Sequence, residues 1–179
     1  MLGVGYLGRG GRRRRVEGEI ERSMRRLYGY AVSLTGDRDA AQDLLHDGIV
    51  RALAARTTPR DDAALRAWLF RIVRNVWIDH HRREIGRPLA GDGDPADRWD
   101  GETAVVNVIA VRQGLDRLSP EHREVIALVD LAGFPYAEVA TILETPVGTV
   151  MSRLSRARSS LLGVLRGNNV RPLRMNRRP

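Results

Sequence analysis

The chain has 179 residues, of which 42% are hydrophobic, and it carries a formal net charge of +8. The absence of cysteine excludes disulfides, thiolate metal sites and cysteine nucleophiles, and it is compatible with the reducing cytoplasm, where we expect the protein to reside. No apolar run approaches the ~18 residues of a membrane span. No apolar segment follows the N-terminal arginines as in a secretory signal, so we expect neither membrane insertion nor export.

All 30 basic residues are arginine, and they are unevenly distributed. Residues 1–15 and residues 166–179 each contain five arginines and no acidic residue, whereas residues 84–102 contain six acidic residues. Codon usage in a GC-rich genome is the simplest explanation for the lack of lysine. The net positive charge itself favours an anionic partner, nucleic acid or a membrane surface, and arginine suits forked contacts to phosphates and guanine edges.

The first helical unit is predicted at 19–85. It follows a Gly- and Arg-rich stretch, residues 1–18, whose composition is typical of a disordered basic tail. Met24 lies just before an apolar-periodic segment and is therefore an alternative to Met1 as the functional start. Within the unit, apolar residues recur at spacings of three and four, which predicts amphipathic helices over 19–35, 39–55 and 63–84.

The third of these helices contains the stretch RAWLFRIVRNVWIDHHRRE, which combines arginines with an amide and two tryptophans. Arginine binds phosphate, an aromatic ring stacks on a base and an amide bonds a base edge, so this face suits single-stranded or melted DNA. The alternative is that Trp68 and Trp77 belong to the core and that Asn75 is an incidental surface amide. The side chains expected to point outward, with Trp68 at their margin, are Arg71, Arg74, Asn75, Asp79 and Arg82.

The second helical unit is predicted at 103–165, between an acidic Gly-, Pro- and Asp-rich linker at 86–102 and a basic tail at 166–179. Ser119-Pro120 and Thr145-Pro146 each combine an N-cap residue with a proline at the first helical position. The helices of this unit are predicted at 103–116, 120–131, 136–143 and 146–165.

Tyr136 to Leu154, YAEVATILETPVGTVMSRL, has the order of elements of a helix-turn-helix. Ala140 supplies the small residue at the helix crossing, and Glu144-Thr145 supplies the tight turn. The second helix is either a DNA-reading helix or the basic outer helix of a bundle, and the ordered pattern favours DNA. Its expected outward residues are Thr149, Ser152, Arg153, Arg156 and Ser160. Its expected buried residues are Val147, Val150, Met151, Leu154, Ala157, Leu161 and Leu165, of which Val147, Val150 and Leu154 pack on the first helix.

The second predicted helix of the first unit carries Asp43, His46 and Asp47 on one polar side. This side is either a protein-docking face or plain solvated helix, and composition does not choose between them. His80 and His81 point ~100° apart on a helix, and no third ligand is evident. We therefore expect no metal site and no cofactor.

Three stretches, in this order and at this spacing, resemble the extracytoplasmic-function sigma factors of bacterial RNA polymerase. Residues 36–52, GDRDAAQDLLHDGIVRA, resemble the helix with which the family binds the polymerase clamp. Residues 66–84 resemble its promoter-melting and −10-reading helix. Residues 118–158, LSPEHREVIALVDLAGFPYAEVATILETPVGTVMSRLSRAR, resemble its −35-reading domain. The resemblance implies an all-α fold of two small helical domains joined by an acidic linker, with the helix-turn-helix in the C-terminal domain.

The resemblance also implies a function without catalysis. The protein is expected to bind core RNA polymerase and promoter DNA, to aid DNA melting and to be held by an anti-sigma factor. Asp43, His46 and Asp47 would face polymerase. The −10 element would be contacted by Trp68, Arg71, Arg74, Asn75, Asp79, Arg82 and Arg83, with Asn75 and the turn before its helix capturing a flipped base. The −35 element would be contacted by Thr149, Ser152, Arg153, Ser155 and Arg156.

Four positions depart from the family pattern. His46 stands where Gln is usual and Gly48 where Thr is usual, and a glycine inside a helix costs roughly 1 kcal/mol. Glu144 occupies a turn position where Gly is common, and a positive φ would cost its side chain about 1–2 kcal/mol. Met151 replaces an arginine found in several members, which bears on −35 recognition.

Two other functions are compatible with parts of this sequence pattern and are alternatives to a sigma factor. A sigma-like mimic would sequester an anti-sigma factor without reading DNA, but it would have no need of Arg153, Arg156 and Asn75. A helix-turn-helix regulator that never touches polymerase would have no need of the first unit.

Overall fold

The computed structural model describes residues 9–84, 111 and 114–168, and all regular structure in these ranges is helical, as predicted. The acidic linker at 86–102 and most of the helix predicted at 103–116 lie outside the described residues, although residues 114–116 are helical. The helices are α1 (Arg9–Thr35), α2 (Arg38–Ala54), α3 (Asp62–Glu84), α4 (Pro120–Ile126), α5 (Tyr136–Leu143) and α6 (Val147–Asn168), with a π-helical turn (Ala127–Leu131) after α4.

Several helix ends have the expected local chemistry. Asp37 caps α2 by accepting a hydrogen bond from the Ala40 amide at 2.8 Å. Ser119 caps α4 by accepting from the His122 amide at 3.4 Å, which confirms the predicted Ser-Pro start. Gly36, between α1 and α2, has a φ of +74°, a value that glycine adopts without steric cost.

Helix α1 begins ten residues earlier than predicted, at Arg9 rather than residue 19, so the prediction of a disordered tail is wrong for residues 9–18. Val16 and Ile20 are only 2% and 6% exposed, and burial of such side chains stabilises a helix that propensity alone leaves marginal. Glu19 is also buried, where it accepts a hydrogen bond from Ser23 at 2.7 Å and forms an ion pair with Arg22. The Gly- and Arg-rich composition of residues 9–18 did not indicate a helix with one buried side.

Helices α1, α2 and α3 form the first unit, and its core contains Leu27, Leu44 and Leu65. At the contact between α2 and α3, Gly48 is buried. A Cβ atom at Gly48 would lie 2.9 Å from the Cγ2 atom of Val73. The glycine that departs from the family pattern therefore permits close approach of two helices.

Gly48→Ala is expected to lower the free energy of unfolding by about 1–2 kcal/mol, because overpacking against Val73 outweighs the gain of ~1 kcal/mol in helix propensity. Gly29→Ala is the matched control, since a Cβ at this glycine, inside α1, meets no atom within 4 Å. The control is expected to gain about 0.5–1 kcal/mol. Urea unfolding followed by tryptophan fluorescence measures both changes, and equal gains would contradict the packing explanation.

The second unit contains α4, the π-helical turn, α5 and α6. Its core includes Val125, Leu128, Val139, Ile142 and Val150, each 1% exposed or less. The two units also pack on each other through α3. Phe70 of α3 meets Phe134 edge-to-face at 4.7 Å between ring centroids, and Arg66 lies 5.3 Å from the centroid of the Phe134 ring.

Candidate nucleic-acid interface

Helix α6 is the second helix of the helix-turn-helix, and its inner side holds Val150, Leu154 and Ala157, all at most 2% exposed. The prediction that Val147 and Met151 also lie inside is wrong, because they are 41% and 53% exposed. Val147 is the first residue of α6, and Met151 lines an open groove of about 330 Å³ together with Tyr136 and Leu162. The buried stripe of α6 is therefore narrower than the apolar stripe of its sequence.

The residues predicted to read the −35 element all lie on α6, but they differ in exposure and in their hydrogen-bond and ion-pair partners. Ser155 and Arg156 are exposed, and Arg156 has no ion pair with any residue in the described ranges. Arg153 is partly buried and lies 3.4 Å from the Glu121 carboxylate, in an ion pair whose acidic partner is 67% exposed. Ser152 donates a hydrogen bond to the Thr149 carbonyl at 3.0 Å. A pair with so exposed an acidic partner contributes little to stability, so it holds Arg153 only weakly.

The turn of the helix-turn-helix lies at Glu144-Thr145, as predicted. Glu144 adopts φ 53° and ψ 46°, and it is the only non-glycine residue with positive φ among those described. The Thr145 amide donates to the Ala140 carbonyl at 3.0 Å, which closes the end of α5. A side chain in this left-handed region is strained.

Glu144→Gly is expected to raise the free energy of unfolding by about 1 kcal/mol, because glycine removes the steric cost of the left-handed turn. Glu144→Ala keeps the Cβ atom and removes only the carboxylate, so it should gain little. Thermal and urea unfolding of the two variants test the difference. Equal stability of Glu144→Gly and Glu144→Ala would contradict strain at this turn.

On α3, only some of the residues predicted to meet the −10 element are exposed to solvent. Asn75 and Arg82 are exposed, while Trp68 and Arg71 are partly buried. The side chain of Arg83 lies outside the described residues. Asp79 forms an ion pair with Arg51 of α2 at 2.8 Å.

Arg74 was predicted to point outward, but this prediction is wrong because its side chain faces the second unit. Its Nε atom donates to Oε1 of Glu124 at 2.8 Å, and the two side chains are 20% and 10% exposed. Arg66, Phe70 and Arg74 follow each other at intervals of four, so they form one stripe of α3 that faces the second unit. Arg66 completes this contact through an ion pair with Glu138 of α5 at 3.6 Å.

Glu124 is a buried carboxylate to which sequence reasoning gave no role. Its Oε1 atom accepts a second hydrogen bond, from the Tyr30 hydroxyl at 2.9 Å. Burial, with a further contribution from the negative charge of Glu124, raises the pKa of Tyr30 well above its ordinary value, so the phenol remains a donor. Glu124 thus binds α1 and α3 of the first unit to α4 of the second.

The acidic side of α2 remains accessible. Asp43, His46 and Asp47 are all exposed, and the Asp47 carboxylate lies 3.2 Å from Nε2 of His80 on α3. Within the described ranges, no three His, Cys, Asp or Glu residues are grouped so as to hold a metal ion. No helix in these ranges is both long and apolar enough to cross a membrane.

Comparison with known proteins identifies two family regions in the chain. Residues 20–85 match the model of sigma-70 region 2, and residues 109–161 match a model of sigma-70 region 4. The ECF RNA polymerase sigma factor EcfG of Rhodopseudomonas palustris is 37% identical over 142 residues, which cover 78% of each chain. The ECF RNA polymerase sigma factor SigM of Mycobacterium tuberculosis is 34% identical over 181 residues, covering 90% of this chain and 92% of SigM.

Two solved structures are similar over both units. One is the sigma factor RpoE of Bartonella quintana in complex with the anti-sigma factor NepR, with 28% identity, a TM-score of 0.64 and coverage of 84% of this chain and 96% of RpoE. The other is CnrH in complex with the cytosolic domain of CnrY, with 28% identity, a TM-score of 0.67 and coverage of 89% and 93%.

Proposed function

Because the chain belongs to the extracytoplasmic-function sigma factors of RNA polymerase, we propose that it binds core polymerase and directs it to specific promoters. The second unit recognises the −35 element as duplex DNA. The first unit binds polymerase through α2 and recognises the −10 element through α3, where it aids DNA melting. The protein acts in the cytoplasm, where polymerase and promoter meet, and an anti-sigma factor restrains it.

The observation that carries this proposal is the outer face of α6. Ser155 and Arg156 are exposed on the second helix of a helix-turn-helix, and the segment from 146 to 158 contains no acidic residue. Phosphate contacts from arginine position such a helix, and contacts to base edges in the major groove give sequence preference. The exposed amide of Asn75 offers a donor and an acceptor to a base that has left the stack.

The work of the protein is binding rather than catalysis. Capture of an unpaired base offsets the cost of unstacking it, which is a few kcal/mol. The −35 contacts hold the duplex while the −10 base leaves the stack and is captured. Asp43, His46 and Asp47 are proposed to meet the polymerase surface, since all three are exposed on one helix away from the contact between the units.

Run-off transcription with purified core polymerase and a library of genomic promoter fragments tests the function. We expect specific transcripts only when the protein is added. Failure to bind core polymerase would contradict the sigma-factor function, and core binding without specific transcripts would support the mimic. Asn75→Ala should reduce promoter opening, measured by permanganate reactivity, more than it reduces core binding.

Arg156→Ala is expected to weaken −35 binding about tenfold and to reduce the slope of log K against log salt by about 0.9, the effect of one lost phosphate contact. Arg117→Ala removes the same charge from an exposed residue of the same unit outside α6, and it should leave both quantities nearly unchanged. Fluorescence anisotropy of holoenzyme on labelled duplex promoter measures them. Equal effects of the two substitutions would contradict a direct contact by Arg156.

A further inference from the structure

We propose that the first turns of α1 and the turn between α2 and α3 form a second phosphate-binding surface, which holds the backbone of the promoter strand bound by the first unit. We call it the N-terminal arginine surface. It rests on the proposed DNA-binding function of α3 and extends the path of the DNA. Its members are Arg12, Arg13, Arg14, Arg56 and Arg60.

The helical extension is a fixed part of the first unit. The match to sigma-70 region 2 begins at residue 20, whereas α1 begins at Arg9, so residues 9–19 lie outside the matched region. Val16 is nevertheless 2% exposed and Glu19 is 5% exposed, so this segment packs on the core. The family match therefore assigns no role to a packed helix that carries several arginines.

Two arginines of this extension bind the turn that precedes α3. Arg12 donates a hydrogen bond to the Arg56 carbonyl. Arg15 donates to the Pro59 carbonyl at 3.0 Å and lies 3.5 Å from the Asp62 carboxylate at the start of α3. These bonds cross 44 and 47 positions of sequence and hold the N-terminal arginines beside those of the turn.

Three of the five arginines of this surface are exposed and have no ion-pair partner among the described residues. They are Arg14, Arg56 and Arg60. Of the neighbouring acids, Glu17 pairs with Arg13 of this surface, Asp62 pairs with Arg15, and Asp61 accepts from the Ala64 amide.

Several free guanidinium groups around one turn are well suited to a row of phosphates. A membrane surface fits less well, since an interfacial helix needs large exposed apolar side chains. None of the exposed large apolar residues among those described lies in the N-terminal turns of α1 or in the turn before α3. Continuity with α3, which carries the exposed Asn75 and Arg82, favours DNA as the occupant.

The test compares two triple variants with equal loss of charge. The first, Arg14→Ala with Arg56→Ala and Arg60→Ala, removes the unpaired arginines of the surface. The control, Arg25→Ala with Arg26→Ala and Arg38→Ala, removes exposed arginines from elsewhere in the same unit. Holoenzyme binding to a labelled promoter fragment, single-stranded across its −10 element, is measured over a range of salt concentrations. The surface variant should lose about two units of salt slope, at about 0.7 per contact to single-stranded DNA, whereas the control should lose less than one.

Three outcomes decide the proposal. Recovery of the slope by the triple lysine variant at positions 14, 56 and 60 would support phosphate contacts. Unchanged salt slopes in the surface variant, with wild-type promoter binding intact, would overturn this inference and leave the sigma-factor function standing. Weaker core binding by the surface variant, with an unchanged salt slope for holoenzyme formed at saturating core polymerase, would instead assign the surface to an acidic face of polymerase. If the wild-type holoenzyme bound no promoter, the proposed function itself would fail.

Discussion

Glu124→Ala is expected to lower the free energy of unfolding by about 3 kcal/mol and to separate the two units. Removal of one partner from a buried ion pair leaves the other charge uncompensated, which typically costs about 3–5 kcal/mol. The value at the lower end applies here because Arg74 is 20% exposed, so water reaches part of its guanidinium group. The Tyr30 hydroxyl loses the same acceptor. Urea unfolding followed by tryptophan fluorescence measures the loss.

Glu121→Ala provides the control for Glu124→Ala. Glu121 belongs to the same helix and also pairs with an arginine, but its side chain is 67% exposed. Removal of such a partner should change stability by less than ~1 kcal/mol. A double-mutant cycle of Glu124 with Arg74 isolates the coupling between them. A coupling energy near zero would contradict the role given to this carboxylate.

A chain that begins at Met24 is expected to lose about 3–6 kcal/mol of stability in the first unit. It lacks the buried side chains of Val16 and Ile20, each worth about 1.5–3 kcal/mol when fully buried. A chain that begins at Gly11 keeps both residues and should retain most of the stability. Unfolding by urea compares the two, and equal midpoints would show that the first turns of α1 contribute nothing to the core.

The sequence predicted the features that depend on local pattern. The apolar spacing of α2 and α3 gave their positions within one residue, and the Ser119-Pro120 start is present as expected. The tight turn at Glu144-Thr145 is present as expected, and Glu144 has the positive φ whose cost the family's preference for Gly at this position indicated. The assignments of individual residues to polymerase, the −10 element and the −35 element stay predictions, to be tested by the experiments above.

The contact between the units could not be predicted in this way. Tyr30 and Glu124 are 94 positions apart, and Arg74 and Glu124 are 50 positions apart, so no local periodicity links them. An arginine on the outer side of an amphipathic helix has the same sequence pattern whether it meets water, DNA or a carboxylate. Likewise, Val147 and Met151 follow the apolar period of α6 but extend beyond the part of the helix that α5 and α4 cover.

The Arg74–Glu124 ion pair has one consequence for any rearrangement of the two units. It joins α3 to α4, and the same carboxylate accepts from the Tyr30 hydroxyl of α1, so the units cannot separate while these bonds are intact. A partner that binds only the separated units would have to supply the free energy of these bonds, and each 1.4 kcal/mol of that requirement lowers its apparent affinity about tenfold. The buried carboxylate therefore favours partners that bind both units as they pack here over partners that require them apart.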